Sequence, residues 1–168
     1  QEYTVTNKKK INIICLLSIL LLAGAASPTE AVNPNGTATI SLQPATGNFT
    51  VGQTFPVEMK INTQGTKINT VQIYLGYHYQ ETTPPLEIHD ADLATPGIQI
   101  EPGSLPLDFI LNEVQIESQA KTVRLGLAAL TTSYFLSSAD MTLGTINFRA
   151  KLPANRIALD FDPSLSFV

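Results

Sequence analysis

The chain has 168 residues, a net charge of −4 and one cysteine. It is 43% hydrophobic but only 14% charged, with no tryptophan, so the polar surface must come from Thr, Ser, Asn and Gln, as in many exported β-proteins. The acidic balance disfavours nucleic acid, because phosphate binding needs a basic stripe, and a single cysteine allows neither an internal disulfide nor a thiolate metal site.

Lys8, Lys9 and Lys10 precede the apolar run "INIICLLSILLLAGAA", Ile11 to Ala26. A basic start, an apolar run and a small-residue end are the plan of a secretory signal peptide, predicted as a hydrophobic helix over 1–26. Small residues suited to a signal peptidase occur at Ala23 to Ala25 and at Thr29 to Ala31. The rival reading is an uncleaved anchor, although the run falls short of the roughly 20 apolar residues that span a bilayer. Any membrane contact is expected through this segment alone, and the location is read as secreted or cell-surface. Cys15 lies inside the apolar run, which argues against a lipoprotein signal. Removing residues 1–26 takes away three lysines and one glutamate and moves the net charge from −4 to −6.

Residues 27–36, "SPTEAVNPNG", have linker composition. From 37 onward apolar residues recur at every second position between turn residues. "TATISL" aligns Ala38, Ile40 and Leu42. "TFPVEMKIN" aligns Phe55, Val57, Met59 and Ile61, with Pro56 marking an edge or a bulge because it cannot donate to a ladder. "VQIYLGYHY" puts Val71, Ile73, Leu75, Tyr77 and Tyr79 on one face and Gln72, Tyr74, Gly76 and His78 on the other. "LEIHDADL" reads as a shorter strand after Pro84-Pro85. "NEVQIESQ" aligns Val114 with Ile116 and forms a hairpin with "TVRLGLAAL", which aligns Val123, Leu125 and Leu127. "TTSYFLSSAD" reads as a loop or short helical turn. "TLGTINFRAKL" turns Gly144, Ile146, Phe148, Ala150 and Leu152 inward, and "RIALDFD" does the same for Ile157, Leu159 and Phe161. The fold class predicted is all-β, an antiparallel jelly-roll sandwich of about nine strands after the signal helix. The chain starts at Gln1, stops at Val168 and reads as a fragment, with the sandwich truncated at its C-terminus.

The order of "ATISLQPATGNFTVGQTFPVEMKINT", "INTVQIYLGYHY" and "PLEIHDADL", followed by "TVRLGLAAL", "LGTINFRAK" and a closing "FDPSLSFV", resembles a cohesin domain over residues 37–168. The Pro-rich crossing "QETTPPLEI" departs from the compact turn of many relatives. The resemblance implies a non-catalytic module that binds dockerin modules in a cellulosome-like or surface assembly. It also implies that one sheet face receives the partner. The strands "VQIYLGYHY", "NEVQIESQ", "TVRLGLAAL" and "TINFRAK" are expected to build that sheet. Carried over by parity, the face holds Gln72, Tyr74, Gly76, His78, Gln115, Glu117, Thr122, Arg124, Thr145, Asn147 and Arg149. Tyr74 and Arg124 are the expected anchors, since aromatic and guanidinium groups dominate interface energetics. An ordinary solvated sheet face is the plain alternative.

Two other functions compete. A carbohydrate-binding module of a polysaccharide-degrading system needs a planar aromatic platform, and Tyr74 alone is a poor one. A structural spacer in a surface adhesin needs no ligand. An enzyme is disfavoured: the only histidines are His78 and His89, and no GxSxG, HExxH or GxxxxGK motif occurs. No cofactor is expected. The pairs Asp90/Asp92 and Asp160/Asp162 share faces and leave calcium open, although strand-end carboxylates are more often simply solvated. Asn35 and Asn48 head glycosylation sequons, which matter only in a glycosylating host.

Overall fold

Period-two burial governs the chain, as a sheet with one buried face requires. The computed structural model describes residues 31–32, 38–154 and 156–166. The expected signal helix, residues 1–26, lies outside the described residues. Among the described residues ten strands follow one another: β1 (Ala31–Val32), β2 (Thr39–Gln43), β3 (Thr54–Asn62), β4 (Ile68–His78), β5 (Leu86–Ile88), β6 (Glu101–Pro102), β7 (Asp108–Glu117), β8 (Thr122–Phe135), β9 (Met141–Ala150) and β10 (Asp160–Phe161). They form two antiparallel sheets. The first has the order β1-β2-β3-β9-β5, with β6 also pairing β9; the second has the order β10-β4-β8-β7. Among the described residues no helix is long and apolar enough to cross a membrane.

The core lies between the two sheets and comes from the aligned residues. Ile40, Met59, Ile61, Val71, Ile73, Leu127, Ile146 and Phe148 are fully enclosed, and each such side chain contributes roughly 1.5–3 kcal/mol by leaving water. Phe148 stacks on Phe55 with ring centroids 5.6 Å apart, and Phe55 stacks on Phe49 at 3.4 Å. Two polar ties join the layers. The Tyr77 hydroxyl, on β4, donates to the Leu86 carbonyl on β5 at 2.7 Å. Asn112, on β7, accepts from the Ile100 N–H at 3.0 Å and donates to its carbonyl at 2.9 Å.

The Asn112 clasp has a measurable consequence. Ile100 is 1% exposed, so Asn112→Ala leaves its N–H and C=O buried without their partner. A buried orphan group costs about 1–3 kcal/mol, and the variant should lose about 2 kcal/mol of stability in urea unfolding with its m-value unchanged.

Several expectations are corrected. β1 lies within the stretch read as linker and pairs Ala31 with Ile40 and Val32 with Thr39. The "TTSYF" stretch is strand, not a loop or helical turn: it prolongs β8 until Phe135 pairs with Ile68, in keeping with its β-branched and aromatic residues. Of "LEIHDADL" only Leu86–Ile88 is strand, and of "RIALDFD" only Asp160–Phe161. Ile157 and Leu159 pack half-buried on the core without pairing. Ile116 and Leu152, expected inward, are 49% and 37% exposed; Ile116 lies on the edge strand β7 and Leu152 follows the end of β9, where no facing layer covers them. Pro56 does occupy an edge: β3 pairs with β9 from Thr54 to Ile61 but with β2 only from Glu58 to Asn62. The bulge falls later, between Met59 and Lys60.

The largest correction concerns β9. It runs beside β3, not beside β4, β7 and β8. Ile146 and Phe148 then lie opposite Val57 and Phe55, which continues the inward row of β3. The chain crosses between sheets after β8, where Ser137 is anchored by the Thr63 hydroxyl: the Ser137 N–H donates to it at 2.8 Å, and it donates to the Ser137 carbonyl at 2.9 Å.

Candidate functional site

The outer face of the second sheet gathers most of the expected site residues. Register sets them side by side: Gln72 opposite Ala128, Tyr74 opposite Gly126, Gly76 opposite Arg124 and His78 opposite Thr122. On the other flank of β8, Gln115 lies opposite Arg124 and Glu117 opposite Thr122. Tyr77 and Tyr79 point into the core and are 2% and 3% exposed. Alternation along β4 therefore divides its tyrosines between interior and surface.

Tyr74 is held in place from several directions. A Cβ at Gly126 would lie 3.3 Å from its ring and 3.2 Å from the Leu111 side chain. The ring and Leu111 therefore close over the glycine and make a low apolar patch. Ala128 continues this strip of small residues on β8. The backbone beneath is braced by the turn at 162–166. The Tyr74 N–H donates to the Ser166 hydroxyl at 3.0 Å, the Asp162 N–H donates to the Tyr74 carbonyl at 2.8 Å, and the Gln72 side-chain amide donates to the Leu165 carbonyl at 2.9 Å. Asp162 orders this turn by accepting from the Ser164 N–H at 3.0 Å and from its hydroxyl at 2.6 Å. The Ser164 hydroxyl, followed by the Ser164 N–H, holds the Asp162 carboxyl below the usual carboxylate range.

Polar groups border the patch. Arg124 pairs with Glu117 at 3.4 Å, and their side chains are 58% and 38% exposed, so the pair itself contributes little to stability. Gln115 donates to Glu113 at 2.8 Å, and the Thr122 hydroxyl meets His78 Nδ1 at 2.9 Å. The guanidinium keeps most of its hydrogen-bonding capacity toward solvent. A protein surface could take it up.

Thr145, Asn147 and Arg149 do not belong to this face. They lie on β9, on the outer face of the first sheet, at the opposite side of the sandwich. Asn147 donates to Glu101 at 3.4 Å, and Arg149 lies between Thr54 and Glu87 by register. The expected set thus divides into Gln72, Tyr74, His78, Gln115 and Arg124 on one side and these three on the other. Leu111 and Ser166 were missed. Leu111 shares the outward parity of Glu113 and Gln115 but lies just ahead of the stretch "NEVQIESQ", where the alternation was expected to begin. Ser166 acts from a turn, which has no periodic signal.

The other chemistry-bearing residues do structural work. Asp90 accepts from the Asp92 and Gln99 N–H groups at 3.1 and 3.0 Å. Asp92 accepts from the Ala94 N–H and the Thr95 hydroxyl at 3.0 and 2.7 Å. These carboxylates close the loop after β5. The Thr95 hydroxyl, then the Ala94 N–H, keep the Asp92 carboxyl below its ordinary range. Among the described residues no group of three or more His, Cys, Asp or Glu is placed to hold a metal ion.

Tyr77 gives the interior an alkaline signature. Burial, and then the neighbouring Tyr79 hydroxyl, push its phenol well above the ordinary value. The unfolded chain releases this proton near pH 10, while the folded chain keeps it. The folded state then binds more protons, so stability falls as pH rises past about 10. Tyr77→Phe is expected to flatten that decline in urea midpoints measured from about pH 9 to 11.

No protein-family profile and no curated protein sequence matches the chain. Solved structures similar to it include cohesins. A non-cellulosomal cohesin from the hyperthermophilic archaeon Archaeoglobus fulgidus shares 20% identity at a TM-score of 0.38, over 70% of this chain and 75% of that one. A type II cohesin–X–dockerin complex from Acetivibrio cellulolyticus gives 15% identity and a TM-score of 0.45, over 73% and 75%. A type I cohesin–dockerin complex from Clostridium thermocellum gives 15% and 0.37, over 70% and 78%.

Proposed function

We propose that this chain is an exported, non-catalytic binding module that recognises a dockerin-type protein partner through the outer face of β10-β4-β8-β7. One observation carries the reading: Tyr74 and Leu111 close over Gly126 at the middle of that face, with a solvated Arg124 beside them. An apolar centre with an aromatic and an arginine, bordered by polar groups, is the make-up of a protein-docking surface. The cohesin-like order of strand motifs supplies the partner class, and the basic-then-apolar N-terminus supplies the expectation of export. Polysaccharide recognition is less well supported, because Tyr74 is the only aromatic side chain within the set of residues gathered on this face.

The test is a binding panel. Immobilised protein is challenged with type I and type II dockerin modules, and separately co-sedimented with insoluble cellulose, xylan and chitin. The reading predicts saturable binding to at least one dockerin and none to the polysaccharides. Retention by a polysaccharide with no dockerin bound would overturn it.

A further inference from the structure

A second surface lies at the open edge of the sandwich, bordering the face just described along β7. β5 ends the first sheet there and β7 ends the second. Between them is a cleft of about 170 Å³ walled by Leu86, Ile88, Ile98, Val114, Ile116 and Val123. Its size matches the engineered apolar cavities of about 150 Å³ that hold benzene. Ile116, on its lip, is 49% exposed. On the first-sheet wall, Glu87 and Lys151 pair at 3.6 Å.

The backbone beside the cleft is open. The Val114 N–H points away from β8 and donates to the Ile98 carbonyl at 2.9 Å. Residues two apart on a strand direct their backbone groups to the same side, so the N–H and C=O of Ile116 also point away from β8. They have no backbone partner among the described residues. An unpaired strand edge is a template for another strand. The charges select the kind of strand. Glu113 and Glu117 alternate with the cleft-facing Val114 and Ile116 along β7, Glu117 sharing its charge with Arg124 at 3.4 Å, while Glu87 on the opposite wall is matched by Lys151. A second copy of this chain would bring like charge to like, which is unfavourable between adjacent strands.

We infer that this edge takes an extended peptide from a partner protein, in which an aliphatic residue is flanked by basic ones. The peptide adds as a strand at Ile116, exchanging both backbone hydrogen bonds with that residue. Its aliphatic side chain, on the same face as Ile116, enters the cleft. Its basic neighbours lie beside Gln115 and Glu117. Main-chain bonds supply affinity in this mode of recognition, and the pocket with its alternating neighbours supplies specificity.

A blocked heptapeptide alternating lysine and leucine tests this, titrated into the ¹⁵N-labelled protein and followed by NMR. Saturable shifts centred on Ile116, Val123 and Ile88 are expected, with a dissociation constant of about 1 mM or tighter. The same peptide with glutamate at every lysine should bind at least tenfold more weakly. Ile116→Pro removes the donor at an edge position that tolerates proline and should cost the lysine peptide tenfold or more. Glu117→Lys, a substitution at the strand's solvated side, should reverse the preference between the two peptides. Absence of saturable shifts would overturn the inference. So would equal binding of both peptides, or sedimentation as a dimer that Ile116→Pro dissociates.

Discussion

Phe148→Ala should cost about 3–5 kcal/mol of unfolding free energy, the range for truncating an enclosed phenylalanine. Phe148 is 1% exposed and forms the enclosed end of a row of rings: it stacks on Phe55, which in turn stacks on Phe49. It also lies on β9 between β3 and β5, opposite Phe55 on one side and Ile88 on the other. The cavity left by alanine opens where β9 joins both neighbours, so little can collapse into it. Urea unfolding should show a lowered midpoint with an unchanged m-value. Tyr134→Ala is the control. Its ring is 69% exposed on the extension of β8, and its removal should change stability by no more than about 0.5 kcal/mol. A small effect at Phe148 would mean that the two sheets do not close over this row.

Replacing Tyr74 and Arg124 together by alanine should weaken binding of a dockerin partner tenfold or more, about 1.4 kcal/mol. Tyr74 presents a preset ring, because Gly126 and Leu111 fix where it lies and the turn at Ser166 fixes its backbone. Little side-chain entropy remains to be lost on docking. On docking, Arg124 would exchange a solvated pair with Glu117 for contacts shielded from water, where charge-assisted hydrogen bonds are stronger. The loss should appear mainly as faster dissociation, the usual effect of removing an interface anchor. Arg149→Ala, on the far side of the sandwich, should leave affinity unchanged. Equal loss at Arg149 would move the docking surface to the other sheet.

The sandwich was legible in the sequence because burial imposes its period on each long strand. Val71, Ile73, Leu75, Tyr77 and Tyr79 alternate with polar residues or glycine, and all five are buried. The same alternation placed Tyr74 and His78 outward. Which strands lie side by side was not legible. Parity tells which face of β9 is buried, but a strand with Ile146 and Phe148 inward fits either layer. The pairing with β3 is decided by long-range packing, and it carried Thr145, Asn147 and Arg149 to the opposite side. Leu111 and the brace at Ser166 were hidden for another reason: one lies ahead of the alternating stretch that starts at Asn112, and the other lies outside any strand. Ile116 had the right parity but no covering layer, because edge position is a property of the assembled sheet.

The most direct measurement is NMR mapping of the surface protected when a dockerin module binds. The account predicts shift changes and slowed amide exchange centred on Gln72, Tyr74, Gln115 and Arg124, with Thr145, Asn147 and Arg149 unaffected. Protection centred on Thr145, Asn147 and Arg149 instead, with Tyr74 still open to solvent, would contradict it.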